Sequence, residues 1–243
     1  MSSHSGSALD ARAVVEAAAL EREGFERSVA GMPYERKGIL YSEMLFFRVC
    51  AGSTRPKRIL ESGRARGQST LLLALCFPEL PIISLEHDSA SPDAAVAAAR
   101  LRQYRNVDLR FGDATRVLPE LAQAGDVVLI DGPKGFRSIR LALRLLAQGR
   151  VSMVFLHDMT RGTPERRFLE ARLPGTLYSD EPGFAALACS LDRAAEDIPP
   201  ALRWQAAGDG HGYGLACLQR RDISYRLAGV LAVLNGFAAR VAR

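Results

Sequence analysis

Carboxylate side chains close one predicted strand after another in this 243-residue chain. They are Glu61 in RILES, Glu86 in PIISLE, Asp131 in DVVLID and Asp158 in VSMVFLHD, and Asp113 follows VDLRFG. A single carboxylate at such a position is commonly a helix cap or a solvated strand end. Because the carboxyl ends of parallel strands meet at one edge of a sheet, their recurrence there indicates a ligand site.

A glycine turn follows the first of these strands. The stretch ILESGRARGQST reads E-x-G-x-x-x-G-x-S, formed by Glu61, Gly63, Gly67 and Ser69. The glycines let the backbone bend close to a ligand, and the carboxylate can attract a cationic group. A dinucleotide fingerprint would instead require glycine at Ala65 and Gln68. The turn therefore argues against a pyrophosphate, and against a nucleotide-dependent oxidoreductase as the enzyme class.

Two side chains near the other strand ends can transfer protons. Lys134 lies in LIDGPKG and is one of only three lysines among 32 basic residues. A lysine loses its proton when it is desolvated, whereas an arginine stays protonated. GPKG is also a good turn sequence, so Lys134 can be read as a loop residue. His157 is the competing general base, with Asp158 orienting its imidazole or the acceptor.

The elements that must position these residues alternate along the chain. Five strand patterns end at the carboxylates above, and each is followed by a helical pattern before the next strand begins. This alternation predicts an α/β fold with a mostly parallel sheet and helices on both faces, which is the doubly wound, Rossmann-like architecture. After Asp158 we expect a helix with Thr163 as its N-cap and Pro164 at its first position.

Flanking segments complete the predicted fold. We expect residues 1–55 to form an N-terminal helical cap, residues 56–222 the Rossmann-like core just described, and residues 223–243 a C-terminal helix, in one domain overall. Two strand-like stretches, GFAALACSL and GYGLACLQR, are expected to pair antiparallel at one edge, giving a seven-stranded sheet. The apolar C-terminal helix packs against the body, with a homodimer interface as the alternative.

Composition narrows the classes of partner. The net charge is +5 and the pI about 9.3, but the arginines are spread along the chain, which argues against a nucleic-acid partner. No apolar run is long enough for a membrane span, which needs roughly 18 residues. The first 24 residues lack a secretory signal pattern, so we expect a cytoplasmic protein.

The order of these motifs over residues 36–160 resembles the class I S-adenosylmethionine-dependent methyltransferases, and among them the small-molecule O-methyltransferases like catechol O-methyltransferase. The resemblance implies that S-adenosylmethionine is the cofactor. It places the methionine part along Gly63 and Gly67 with its ammonium end near Glu61, the ribose on Glu86, and the adenine beside Asp113 and Ala114, with His87 as a neighbour. Ser69 and Asp131 complete the cofactor-binding residues. The resemblance also implies an Mg²⁺ ion held by Asp131 and Asp158, with Lys134 as general base.

The sequence departs from that family at the metal site. Met159 stands where the family commonly has an asparagine ligand, and a thioether is a poor ligand for Mg²⁺. Without a metal, catalysis would fall to Lys134, His157 and Asp158. The segment 35–43, with Tyr41, Arg161 and the loop 178–184, is expected to shape the acceptor pocket.

The predicted acceptor is the hydroxyl of a small molecule. Arg64 and Arg66 lie within the glycine turn, where an inward arginine would oppose a cationic cofactor, so we expect both to face solvent or an anionic acceptor. The alternatives are a non-catalytic protein that binds S-adenosylmethionine and an RNA methyltransferase, although no clustered basic or aromatic surface supports the latter.

Overall fold

The computed structural model describes residues 9–32, 34–35, 38–192, 214–221 and 223–241, and its centre is a seven-stranded sheet. In chain order the strands are β1 Arg58–Ser62, β2 Ile82–Glu86, β3 Val107–Phe111, β4 Asp126–Ile130, β5 Met153–Leu156, β6 Leu177–Tyr178 and β7 Ala216–Gln219. They lie in the order β3-β2-β1-β4-β5-β7-β6. Strands β1 to β5 are parallel, and β7 runs antiparallel between β5 and β6. The predicted doubly wound, Rossmann-like class is confirmed.

Helices cover both faces of the sheet. They are α1 Ala11–Val29, α2 Tyr41–Gly52, α3 Gln68–Cys76, α4 Pro92–Leu101, α5 Ala114–Leu121, α6 Phe136–Ala147, α7 Pro164–Arg172, α8 Pro182–Ala188 and α9 Tyr225–Val241. One apolar cluster joins α1, α2, α3 and α8 to one face, and a second joins α5, α6, α7 and α9 to the other. The central strand β4 is therefore buried at every position, as its unbroken apolar sequence predicts.

Local sequence signals set the helix ends. Helix α7 begins as predicted, with Pro164 in its first turn and the Thr163 side chain accepting a hydrogen bond from the Arg166 amide. Asp113, one of the predicted site residues, caps α5 by accepting from the Thr115 amide at 2.9 Å. These caps satisfy amides that have no partner inside the helix.

One predicted strand is wrong. The stretch GFAALACSL belongs to α8 and to the 3₁₀ turn Cys189–Asp192 that follows it, and the strand on this side is the two-residue β6. Its core residues are Phe184, Ala188 and Leu191, which recur at helical spacings of four and three rather than every second position. Pro182 at the start of the segment also favours a helix.

The terminal helices share the core of the sheet. Helices α1 and α2 contribute to one apolar cluster and α9 to the other. The domain boundaries at 55 and 222 stay predictions, and residues 1–8 and 193–213 lie outside the described residues. Within the described ranges, none of the helices combines the length and apolar character that crossing a bilayer requires.

Candidate active site

The candidate site lies where the chain direction across the sheet reverses. Successive strands run outward from β1 to β3 on one side and from β4 to β5 on the other, so the loops after β1 and β4 border a crevice. These two loops touch. Gly63 has a φ of +85°, and a Cβ there would lie 2.5 Å from the Gly132 amide nitrogen. Only glycine allows this approach, which brings the glycine turn against the segment that carries Asp131 and Lys134.

The second glycine of the turn is fixed by packing as well. Gly67 has a φ of +82° at the start of α3, and a Cβ there would lie 3.1 to 3.3 Å from Leu101 and Ala97 of α4. Both glycines therefore have a structural requirement of their own. Their contact with a cofactor, and that of the buried Ser69 two residues further on, stay predictions.

Glu61 is buried at the end of β1, next to the glycine turn. Its side chain is fully buried, and Oε2 accepts a hydrogen bond from the Thr70 hydroxyl at 2.5 Å. Burial raises the pKa of Glu61 above its ordinary value, and hydrogen bonds from Ser69 and Thr70 offset this only in part. The carboxyl group ties β1 to α3 through Oε2, while Oε1 has no hydrogen-bond partner among the described residues, and its contact with the ammonium end of a cofactor stays a prediction.

Arg64 is buried, contrary to the prediction that it faces solvent or the acceptor. It is 2% exposed and lies across the ends of β2 and β3, where Nη1 donates to the Ser84 and Arg110 carbonyls at 2.8 Å. Its guanidinium carbon lies 4.6 Å from the centre of the Phe111 ring. Nε and Nη2 have no hydrogen-bond partner among the described residues. The buried charge is stabilised because the long side chain reaches the carbonyl groups at the strand ends. The local sequence does not predict these contacts.

Arg66 follows the prediction more closely. Its side chain is 36% exposed and forms ion pairs with Glu35 at 3.0 Å and Asp93 at 3.3 Å. Because both carboxylates already neutralise it, Arg66 offers little attraction to an anionic acceptor. Residues 36 and 37 of the predicted access segment 35–43 lie outside the described residues.

The predicted nucleoside residues line the ends of β2 and β3. The two oxygens of Glu86 accept backbone hydrogen bonds, Oε2 from Ala65 at 2.9 Å and Oε1 from His87 at 2.6 Å. The carboxylate therefore bridges the glycine turn and the end of β2. The His87 side chain is exposed, and Ala114 is the first residue of α5. Hydrogen bonds from Thr115 lower the pKa of Asp113. The arrangement brings this group together; its ligand contacts stay predictions.

A cluster of charged groups lies on the other side of the crevice. Lys134 Nζ contacts Asp131 Oδ1 and lies 2.5 Å from Asp158 Oδ2. His157 Nδ1 lies 2.8 Å from Asp131 Oδ1 and 3.1 Å from Asp158 Oδ1. The structure thus brings together the four residues to which the sequence assigns proton transfer and metal binding, from the ends of β4 and β5.

Glu43 completes this cluster and was missed by the sequence prediction. It is 1% exposed within α2, where Oε2 accepts from the Leu40 amide at 3.0 Å and lies 3.1 Å from His157 Nε2. The imidazole is therefore held between carboxylates on both sides. The only sequence signal was a carboxylate inside the apolar run LYSEMLFF. A charged group buried in such a run requires a partner of opposite charge.

Mutual attraction sets the ionisation of the cluster. Burial acts to lower the pKa of His157 and of Lys134, but attraction to the carboxylates outweighs it and raises both. The same attractions lower the pKa of Asp131 and Asp158 despite the burial that opposes this. At neutral pH the cluster is an ion-paired network rather than a set of free bases.

The donor set does not fit the predicted Mg²⁺ ion in this arrangement. Asp131, His157 and Asp158 place one ligand atom each within 4.8 Å of one another, but the Lys134 ammonium already lies between the two carboxylates. One of the three donors is an imidazole nitrogen, whereas Mg²⁺ prefers oxygen. Met159 is 1% exposed and belongs to an apolar cluster, so it provides no ligand.

The residues expected to shape the acceptor pocket are largely engaged elsewhere. Tyr41 is buried, and its hydroxyl donates to the Met32 carbonyl at 3.1 Å. Arg161 is exposed and pairs with Asp180 at 2.8 Å. At the start of the loop 178–184, the Tyr178 ring lies 3.2 Å from the guanidinium carbon of Arg166. Their roles toward an acceptor stay predictions.

No protein-family model and no curated protein matches the chain. Among solved structures, it is similar to the O-methyltransferase TomG of Streptomyces achromogenes in complex with S-adenosylmethionine, with 18% identity, a TM-score of 0.49, and 88% of this chain and 92% of that chain covered. A methyltransferase of Podospora anserina bound to S-adenosylhomocysteine has 18% identity and a TM-score of 0.49, with 83% and 87% covered. An O-methyltransferase of Bacillus cereus has 17% identity and a TM-score of 0.46, with 85% and 90% covered.

Proposed function

We propose that the chain is an S-adenosylmethionine-dependent methyltransferase that methylates a hydroxyl group of a small molecule. The observation that carries this proposal is the contact of Gly63 with Gly132 at the switch point of the sheet. This contact supports a single crevice, with the residues predicted to hold the nucleoside on one side and the Lys134 cluster on the other. A methyl donor and an acceptor must meet in such a crevice for in-line transfer.

The nucleoside side fits the proposed cofactor. S-adenosylmethionine supplies a methyl group on a positively charged sulfur. Glu86 presents a carboxylate that is held by two backbone amides and retains further acceptor capacity for ribose hydroxyls. Arg64 adds two nitrogens, Nε and Nη2, that can donate hydrogen bonds in the same region. Its positive charge lies over the β2 and β3 ends, away from the cluster of carboxylates.

Lys134 is the proposed general base for the acceptor hydroxyl. In the ion-paired cluster its pKa is raised and Nζ is an ammonium group, so it must leave Asp131 or Asp158 and lose a proton to solvent before it can accept the proton of the acceptor hydroxyl. A nearby positive charge lowers the pKa of an ammonium group, which favours this step when the sulfonium is present. His157 is less suited, because it is buried and both ring nitrogens face carboxylates.

No step of this mechanism runs through Mg²⁺, because Lys134 takes the place between Asp131 and Asp158. A divalent cation would first have to displace its ammonium group. Activity that persists in EDTA is the expected result, and activity restored by Mg²⁺ alone would show that this displacement takes place. The glycine turn gives the predicted anionic acceptor no support, since Arg64 is buried and Arg66 is already paired. A homodimer and a cytoplasmic location stay sequence predictions.

Thermal unfolding with and without S-adenosylmethionine tests the binding half of the proposal. A ligand at 100 times its dissociation constant stabilises the folded chain by about 2.7 kcal/mol, so the melting temperature should rise. Glu86→Gln should reduce the rise, whereas Glu120→Gln, at an exposed position of α5, should leave it unchanged. Equal shifts in both variants would remove Glu86 from the ribose role.

Release of S-adenosylhomocysteine tests the catalytic half. Incubation with hydroxylated small-molecule mixtures should release it, and a purely binding protein should release none. Binding of RNA that weakens steeply with salt, together with RNA-dependent release, would instead favour the RNA methyltransferase alternative.

A further inference from the structure

The C-terminal helix α9 leaves an apolar stripe uncovered. Leu227, Val230, Leu234 and Phe237 are each 58% to 62% exposed and recur at spacings of three, four and three residues, which places them along one side of the helix. The opposite side is anchored, because Ala228 and Ala232 are buried in the cluster that α9 shares with α6. The stripe is therefore a continuous surface on a fixed helix.

This stripe is unusual within the described part of the chain. Six large apolar side chains are highly exposed there, and four of them belong to α9. Single exposed apolar residues need no explanation, but a contiguous row indicates an interaction surface.

Arginine is concentrated on α9 and on its neighbour α6, whereas the sequence alone suggested that the arginines are spread along the chain. Helices α6 and α9 carry no acidic residue and five arginines, which are Arg137, Arg140, Arg144, Arg226 and Arg240. The net charge of the whole chain is also +5, so the rest of the sequence contains 27 basic and 27 acidic residues. On α6 the exposed arginines follow a three-four spacing like that of the apolar stripe. The two helices lie side by side, since Gly236 packs against Phe136.

The charge decides between the possible partners. We call the stripe of α9 together with the exposed arginines of α6 the α6–α9 face. A second copy of the chain would oppose arginines to arginines, which is unfavourable. An apolar stripe flanked by arginines is the pattern of a helix that lies in the plane of an anionic membrane surface. We propose that the α6–α9 face docks on an anionic phospholipid bilayer. This inference does not depend on the proposed function.

In this mode α9 lies parallel to the bilayer surface. Its leucine, valine and phenylalanine side chains enter the boundary between headgroups and acyl chains, and Arg140 and Arg144 pair with lipid phosphates. The two contributions differ in their response to salt, because screening weakens only the second. Binding should therefore decrease with ionic strength without disappearing.

Co-sedimentation with vesicles tests the proposal. The chain should bind vesicles of equimolar phosphatidylglycerol and phosphatidylcholine, and should bind phosphatidylcholine alone far more weakly. Each arginine near the surface changes the binding constant about fivefold, so Arg140→Gln/Arg144→Gln should weaken binding about 30-fold. Leu234→Ser should weaken it about tenfold, because a leucine no longer enters the apolar layer.

Matched variants separate this face from a general effect of charge or hydrophobicity. Arg102→Gln/Arg105→Gln removes the same charge at exposed positions at and beyond the end of α4, and Leu20→Ser removes an apolar side chain that is 86% exposed on α1. Both should bind vesicles like the wild-type chain, and circular dichroism should show that all variants are folded.

Two results would overturn the proposal. One is that the wild-type chain does not bind the anionic vesicles. If analytical ultracentrifugation then shows a dimer that Leu234→Ser disrupts, the stripe is a surface for a second copy of the chain. The other is equal weakening by the control and α6–α9 variants, which would place lipid binding elsewhere on the chain.

Discussion

Replacing Glu43 by glutamine should destabilise the fold in a pH-dependent manner. The side chain is 1% exposed, and Oε2 lies 3.1 Å from His157 Nε2. Glutamine keeps the volume and can still accept from the Leu40 amide, so no cavity forms. What is lost is a hydrogen bond between charged groups, worth about 1.5 to 3 kcal/mol. We therefore expect Glu43→Gln to lower the free energy of unfolding by about 2 kcal/mol when His157 is protonated.

The sign of the pH dependence follows from the raised pKa of His157. Because this pKa lies well above 6.5 in the folded chain, the stabilisation by the imidazolium is complete below 6.5 and is lost as the pH rises through the folded value. The difference between the wild-type chain and Glu43→Gln should be largest near pH 5.5, about one unit below the ordinary histidine pKa. It should shrink at alkaline pH, where neutral histidine can still donate to the glutamine oxygen.

Urea unfolding followed by circular dichroism at several pH values measures this difference. The matched control is Glu21→Gln, which removes a carboxylate from a partly exposed pair with Arg48 at 2.7 Å. Such a pair is worth under about 1 kcal/mol, and its contribution should not vary across this pH range. A loss for Glu43→Gln that is independent of pH, or that grows as the pH rises, would refute the proposed imidazolium network.

Two further substitutions test the site and its surroundings. Lys134→Met should lower turnover by about 10² to 10⁴-fold, the usual contribution of a general base, and should leave the affinity for S-adenosylmethionine unchanged. Lys134→Arg should be as inactive, because an arginine stays protonated. Full activity in either variant would make Lys134 a turn residue. Burial raises the pKa of Asp192 from 3.8 to about 6, so its folded form binds a proton more readily and stability falls as the pH rises between those values. Asp192→Asn should therefore raise the free energy of unfolding by about 3 kcal/mol at pH 8, at about 1.4 kcal/mol per pKa unit, but have little effect near pH 4. Chemical denaturation measures the difference, and a gain that is the same at both pH values would contradict the assignment.

The sequence predicted the sheet well because its signals are local. Each strand of the parallel core is a short apolar run bounded by a turn, and each crossover has helical periodicity. GFAALACSL was misassigned because a nine-residue apolar stretch satisfies both patterns, and only its burial at Phe184, Ala188 and Leu191 distinguishes a helix. Strand β7 is not the edge strand, because the two-residue β6 pairs with its outer side. A strand of two residues is too short to predict from the sequence.

The site was predictable where topology alone brings residues together. Asp131, His157 and Asp158 meet because β4 and β5 are adjacent and parallel. Glu43 is 114 positions from His157 and joins the cluster only through the packing of α2. The burial of Arg64 could not be predicted for the same reason. Its charge favours solvent, and the carbonyls of Ser84 and Arg110 that accept its hydrogen bonds come close only in the folded chain.

A crystal structure of the chain with S-adenosylhomocysteine would show where the cofactor binds. We expect the ligand across the carboxyl ends of β1 and β4, with its ribose on Glu86 and its sulfur facing Lys134. A ligand bound elsewhere, or a crevice that stays empty at saturating ligand while the chain is folded, would contradict this expectation.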